Sequence, residues 1–210
     1  MGNRFGEIAF TPAVRAQQEA HGSRGSYARF SEGEPWNDRL GAKEIEFVQA
    51  RDGFYLASVS ETGWPYVQFR GGAPGFLRVL DERTLAWADF RGNRQYVSVG
   101  NVKGNDRVAM ILMDYANRRR LKILGQLELR EVGADEGLAA RIAVPDYKAV
   151  VERAVLVRVA GIDWNCPQHI TPRFTVDEVE RAVTPLRERV AELELKLASC
   201  EARADEPGGS

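Results

Sequence analysis

Cysteine and histidine are scarce in this chain, with two of each among 210 residues. Cys166 and Cys200 lie far apart and neither belongs to a C-x-x-C pair, so neither a disulfide framework nor a thiolate zinc site is indicated. Both read as reduced thiols. His21 and His169 are equally isolated, and no acidic or thiol cluster has ligand spacing, so no metal is expected. An excess of charge is missing too. Lys and Arg number 29 against 30 Asp and Glu, and a net charge of -1 gives no general attraction to nucleic acid or an anionic membrane. A basic residue that matters must act locally. RNA binding through RRRLK (118–122) and the aromatic residues is a conceivable use of the cations, but the net charge argues against it.

Long apolar runs are also lacking. No stretch approaches the roughly 18 residues of a membrane span, and MGNRFGEIAF has no apolar run of about 7 to 15 residues as in a secretory signal. Gly6 stands where a myristoylation signal has Ser or Thr. A cytoplasmic protein without membrane contact is the expectation. No Ser-His-Asp signature, P-loop or G-x-G-x-x-G fingerprint stands out, so hydrolase, NTPase and Rossmann dehydrogenase readings have no specific support.

What is present is a succession of strands. With 44% apolar residues the chain can bury one substantial domain plus extensions. Residues 1–41 read as an N-terminal arm, with helical character after Thr11-Pro12 and a turn in SEGEPWNDRL; AKEIEFVQAR (42–51) suits a short surface helix. FYLASVS and WPYVQFRGG, joined at Glu61-Thr62-Gly63, form one expected hairpin. GFLRVL and TLAWADF form a second. Strands RVAMILMDY and RRRLKILGQLELREV, a short helix near ADEGLAARIA and the strand RAVLVRVAGIDW follow. About six closely spaced strands joined by tight turns point to an antiparallel sheet, closed or nearly closed into a barrel with small helices outside it. The class is therefore mainly β (α+β), with the barrel over residues 42–175.

The end of the chain has a different pattern. Thr175 and Glu178 fit a capping box, and Val176, Val179, Val183, Leu186, Val190, Leu193, Leu197 and Cys200 recur at alternating steps of three and four. This heptad helix is expected over 176–203, with 204–210 a disordered tail. Pro185 interrupts it, and Thr184 is a candidate cap for a second helix. The seam suits either packing on its own barrel or self-association.

Candidate binding residues cluster in three places. In WADFRGNRQY (87–96) a strand runs into a helical segment; Asn93 is a candidate N-cap, with free amides around Arg94 to Tyr96 and with Arg91 and Arg94 beside them. That mixture suits an anion, and phosphate in particular. In WPYVQFRGG, alternation puts Tyr66, Gln68 and Arg70 on one face and Val67 and Phe69 on the other. Arg118, Arg120 and Lys122 share a face of the RRRLK strand in the same way. GIDWNCPQHITPRF gathers Trp164, Asn165, Gln168 and His169 into one loop, an aromatic wall with polar groups that suits a planar heteroaromatic ligand.

Taken in order, VSETGWPYVQFRGG, LAWADFRGNRQYVSVGN, NDRVAMILMDY, RRRLKILG and DWNCPQHITPRF resemble the pyridoxamine 5'-phosphate oxidase-like family of FMN-binding split-barrel proteins, over roughly residues 42 to 175. The resemblance implies a split barrel, FMN as cofactor, and a homodimer with two flavin sites at the subunit interface. It implies that Gln68, Phe69, Arg70 and Gly71 lie along the flavin and that Asp89, Asn93, Arg94 and Gln95 lie in the segment that holds the ribityl phosphate. Arg120 would cross to the cofactor, and Trp164, Asn165, Gln168 and His169 would close over the ring. Two departures set expectations. Arg94-Gln95 stands where true vitamin B6 oxidases have Arg-Lys, and TPRFT followed by the heptad helix replaces their Arg-x-Glu-Arg-Leu-type end. An FMN-dependent oxidoreductase acting on a small organic substrate, with the chemistry carried by the flavin, is the leading expectation. A flavin-binding carrier or sensor working through its C-terminal helix is the alternative, and haem or a deazaflavin is a conceivable occupant of such a barrel.

Overall fold

The structure is a computed structural model and describes residues 3–28, 37–145, 147–164 and 166–204. Asn165, residues 31–36 of the SEGEPWNDRL turn and the tail after residue 204 lie outside the described residues. The chain forms two compact units, one of Met1–Asp114 with Arg118–Ile170, the other of Tyr115–Asn117 with Thr171–Ser210.

The first unit begins with α1 (Arg4–Ala9), α2 (Pro12–Ala20), α3 (Arg24–Ala28) and α4 (Ala42–Gln49). Thr11 accepts from the Val14 amide ahead of Pro12, so α2 starts where a hydroxyl cap and an N1 proline both favour it. The strands are β1 (Gly53–Val59), β2 (Pro65–Gly71), β3 (Arg78–Asp81), β4 (Thr84–Phe90), β5 (Arg107–Asp114), β6 (Arg119–Arg130) and β7 (Val151–Trp164). Between them lie α5 (Val97–Gly104), a 3₁₀ turn at Val132–Ala134 and α6 (Glu136–Ile142). Both expected hairpins are present, as β1–β2 and β3–β4.

All seven strands join one antiparallel sheet in the order β2-β1-β5-β6-β7-β4-β3. This is the expected mainly β, split-barrel architecture, although the backbone ladder does not close, because β2 and β3 are the sheet's two edges. Side chains close it instead. Phe54 of β1 meets Trp87 of β4 edge to face at 5.1 Å, and Phe76 stacks on Phe54 at 5.8 Å. One core therefore fills the rolled sheet, with Phe54, Leu56, Trp87, Leu112, Leu121 and Ile123 all nearly inaccessible. Gly125 sits where the β6–β7 register shifts, and a Cβ there would come within 2.7 Å of the Arg158 carbonyl oxygen, so the bulge needs glycine.

Register assigns the faces. Arg70, Phe54, Leu112, Leu121 and Trp164 form one cross-strand row on the core side. Phe69, Tyr55, Ile111 and Lys122 form the adjacent row on the outer side. The sequence pattern on β2 is thus inverted in the fold: Tyr66, Gln68 and Arg70 are half-buried, whereas Val67 and Phe69 are each 60% exposed.

In the second unit α7 (Val176–Ala204) is one continuous helix. The Thr175 cap forms as expected, with Thr175 Oγ1 accepting from the Glu178 amide and Glu178 accepting from the Thr175 amide. The expected second cap does not form. Thr184 Oγ1 instead donates to the Glu180 carbonyl at 2.8 Å, which keeps its hydroxyl inside the helical turn and leaves Pro185 within the helix. Among the described residues no helix is long and apolar enough to cross a membrane.

Candidate functional site

Strand β4 ends at Phe90, and the chain passes through Arg91–Tyr96 before α5 begins. Two polar pairs dock α5 on the core side of β1 and β2: Gln68 Nε2 donates to Ser98 Oγ at 2.5 Å and Asn101 Nδ2 to Ser58 Oγ at 3.0 Å. Ser58 and Ser98 are buried, so each bond satisfies a group that water cannot reach. The connecting loop is thereby pinned beside β2 and the start of β7.

Within the loop Asn93 does not cap α5. Its Oδ1 accepts from the Gln95 amide at 3.1 Å, a local turn, and the helix starts later, with Tyr96 at the cap position and no side-chain cap. Arg94 and Tyr96 both adopt left-handed backbone angles, with φ of 61° and 52°. Such conformations are costly for residues with a Cβ and cluster at sites where geometry matters more than ease of folding.

The loop closes over a small cavity of about 70 Å³ lined by Gln68, Arg70, Asp89, Asn93, Arg94, Gln95 and Glu152 among others. At its floor lies Asp89, 4% exposed. Arg153 Nη1 donates to Asp89 Oδ2 at 3.1 Å, and Arg70 Nη1 lies 2.8 Å from Oδ1 as an ion pair without hydrogen-bond alignment. Burial pushes the Asp89 carboxyl above its usual range, against the pull of Arg70 and Arg153. Glu152 accepts from Arg91 Nε and from the Tyr96 hydroxyl, both at 3.1 Å, and pairs with Arg153. Burial acts to raise its pKa, but the bonds from Arg91 and Tyr96 and the charges of Arg153 and Arg91 outweigh it and hold it low. Arg94 Nε donates to the Tyr96 hydroxyl at 3.3 Å, and Arg153 lies over the Tyr96 ring at 5.1 Å.

Three guanidinium groups, Arg70, Arg91 and Arg153, thus meet two carboxylates, Asp89 and Glu152, and a fourth, Arg94, joins them through the Tyr96 hydroxyl. The surplus is positive, and Arg70 Nε is buried without a hydrogen-bond partner. A neighbouring hollow of about 220 Å³ shares Arg70, Asp89, Phe90 and Gly92 with the cavity and adds Phe76, Trp87 and Tyr147. The arrangement offers an anion-binding end beside an aromatic one.

Six residues picked from sequence therefore converge here: Gln68, Arg70, Asp89, Asn93, Arg94 and Gln95. Others do not. The Phe69 ring is on the outer face, edge to face with Tyr55 at 5.4 Å and over the backbone at Gly71, where a Cβ would come within 2.8 Å of it. Arg120 is on that outer face too, because it pairs with Met113 two rows from Lys122 and Ile111. Trp164 shares the core-side row of Arg70 but stands four strands away, about 19 Å along a sheet of ordinary spacing. It packs on Phe47 at 4.8 Å and its Nε1 donates to Glu44 at 2.6 Å. Gln168 and His169 lie in an exposed turn that does not line the cavity, with His169 left-handed at φ 62°. Arg153, Glu152, Ser98 and the Tyr96 hydroxyl belong to the site and were not legible from their neighbours in sequence. The signal for Arg153 and Glu152 is the pairing of Asp89 with Arg153 across β4 and β7, a contact 64 residues apart.

No curated protein matches the chain. Among solved structures, a Lactobacillus delbrueckii protein proposed to be a pyridoxamine 5'-phosphate oxidase is 20% identical, with 60% of this chain aligned to 94% of that one at a TM-score of 0.47. An FMN-binding protein from Syntrophomonas wolfei is 14% identical over 70% of this chain and 97% of its own, with a TM-score of 0.43. An F420 reductase is 21% identical over 59% of this chain and 98% of its own, also at 0.43. The family model described as pyridoxamine 5'-phosphate oxidase matches residues 42–161, which takes in every strand but the last few residues of β7, and the cavity with them. On that match, which spans more than half of the chain, the protein belongs to the pyridoxamine 5'-phosphate oxidase family.

Proposed function

We propose that the protein is an FMN-binding flavoprotein of oxidoreductase type, acting on a small organic substrate other than a vitamin B6 phosphate. The observation that carries this reading is the convergence of Gln68, Arg70, Asp89, Asn93, Arg94 and Gln95 on one polar cavity in a member of this family. The donor set fits a phosphate: Arg70 and Arg94 line the cavity, Arg91 and Arg153 stand beside it, and these four arginines face two carboxylates, while a phosphate monoester carries about -1.5 to -2 charges near neutrality. Arg70 and Arg94 would bind that group, while Asp89 orients Arg70 and Arg153 holds Asp89 and Glu152 from behind. Gln68, fixed by Ser98, would bond to the ligand beyond the phosphate. A bound flavin supplies the hydride or electron transfer itself, which is why no acid–base pair is needed here.

One chain encloses only part of such a ligand. Neither hollow reaches the roughly 300 Å³ at the low end of cofactor sites. A second copy of the chain completes the proposal. The outer face of β1, β2 and β5 leaves Tyr55, Val67 and Phe69 exposed around a hollow of about 200 Å³ walled almost wholly by apolar atoms. Arg120 is on the same face, with its Nε buried and lacking a hydrogen-bond partner. A homodimer across this face would cover the apolar patch and let Arg120 serve the neighbour's cofactor. Cys166 and Cys200 are exposed free thiols, in keeping with a reducing cytoplasm.

The test is the visible spectrum of the purified protein, with mass spectrometry of whatever small molecule denaturation releases. The expected result is an oxidised-flavin spectrum with FMN released. Arg94→Ala should then bind FMN about ten- to a hundredfold more weakly, the range for losing a charge-assisted hydrogen bond. A colourless protein that takes up no added FMN overturns the proposal, and release of haem or a deazaflavin replaces the cofactor. Reduction of the bound flavin with turnover of an added substrate marks the enzyme; binding without turnover marks the carrier or sensor.

A further inference from the structure

We infer that α7 pairs with α7 of a second copy as a parallel, in-register two-stranded coiled coil. This inference does not rest on the flavin reading. The seam places Val176, Val183, Val190 and Leu197 at the a positions and Val179, Leu186, Leu193 and Cys200 at the d positions, four heptads in all. Six of these eight are apolar side chains between 46% and 76% exposed. A helix gains most of its stability from burying its apolar stripe, and α7 carries a proline as well, which removes one backbone hydrogen bond and crowds the Arg181 carbonyl. Pro185 falls at position c, on the far side from the seam. It weakens the lone helix without obstructing a partner.

Charge decides the occupant and its direction. The e positions hold Glu180, Arg187 and Glu194, and the g positions Ala182, Arg189 and Lys196. In a parallel, in-register pair each g residue faces the e residue five places on in the other helix, so Arg189 of each chain meets Glu194 of the other. Glu194 has no ion partner within its own chain among the described residues. In an antiparallel pair g faces g and e faces e, and the full-length overlap sets Arg189 and Arg187 each against itself and Glu180 against Glu194. Arg189 and Lys196 do bond to Glu192 within the helix, both at 2.5 Å, but these pairs are solvent-exposed and weak. β-Branched residues at three of the four a positions, with leucine at two of the d positions, add a preference for two parallel strands.

Cys200 makes the arrangement testable. In parallel register the two Cys200 residues face each other at a d layer, whereas in a full-length antiparallel overlap they lie about 36 Å apart, at 1.5 Å per residue over 24 residues. The probe is the full chain carrying Cys166→Ser, so that Cys200 is the one thiol, treated with the azo oxidant diamide. Diamide takes two electrons and two protons from the facing thiols, and one S–S bond forms. The expected result is rapid conversion to a reducible dimer at micromolar concentration, slowed at least tenfold by Leu193→Glu. Glu194→Arg should slow it as well, and Arg189→Glu added to Glu194→Arg should restore the rate. No cross-link, a rate indifferent to Leu193→Glu, or a double swap that fails to restore it each overturns the inference. The first of these outcomes leaves the barrel of the same chain or an unlike partner as the occupant of the seam.

Discussion

At the scale of single residues, the two carboxylates of the cavity respond to pH with opposite sign. Asp89 has a raised pKa in the fold because burial disfavours its charge. Its contribution to stability is greatest below its unfolded value near 3.8 and is lost as pH rises through the higher folded value. Glu152 has a lowered pKa, so its contribution is full above about 4.5 and is lost as pH falls through the folded value. Melting temperatures between pH 3 and 7 should show this. Relative to the parent, Asp89→Asn should gain as pH rises from 4, and Glu152→Gln should lose less as pH falls below 4.5. Parallel curves for both variants would mean the carboxylates are not held as described. Arg153 explains why these residues were hard to read in sequence. A cation followed by AVLVRVAG looks like an ordinary strand start, and only the β4–β7 register brings it to Asp89.

At the scale of elements, what depended on local chemistry was legible and what depended on distant pairing was not. The β1–β2 turn carries Gly63 at φ 85°, and the Thr175 cap needs only Glu178 three residues on, so both follow from a few adjacent residues. The loop 91–96 misled for the complementary reason. Asn93 is a good cap in isolation, yet docking of α5 through Ser98 and Asn101 places the helix start at Val97 and leaves Asn93 in a turn. On β2 alternation was right about which residues share a face and silent about which face is covered; the polar side is, because it closes the rolled sheet through Arg70 and Asp89. The loop's geometry gives a test that separates backbone from charge. Arg94→Gly and Arg94→Ala both remove the guanidinium, but only glycine takes φ 61° without steric cost. The glycine variant should melt higher than the alanine variant by about 2 to 4 °C, with the same loss of FMN. Equal melting points would argue that residue 94 is not left-handed.

At the scale of the whole molecule, the sheet has a solvent-facing side more apolar than a lone monomer needs. Val67→Glu places a charge at the centre of that patch without touching the cavity lining. Light scattering should show the loss of a barrel-mediated dimer. FMN affinity should fall with it if Arg120 is donated across the interface. An unchanged oligomer with unchanged affinity would remove the outer face from the site. The heptad helix could still tether two such chains, so this variant is best combined with Leu193→Glu.

The placement of Arg94 in the loop over the cavity and of Arg120 on the outer face of the sheet has a genetic counterpart. If each cofactor site draws Arg94 from one chain and Arg120 from the other, a mixed dimer of an Arg94→Ala chain and an Arg120→Ala chain holds one site with both lesions and one with neither. Two alleles that each fail alone would complement when expressed together, reaching about half the wild-type flavin content in those mixed dimers.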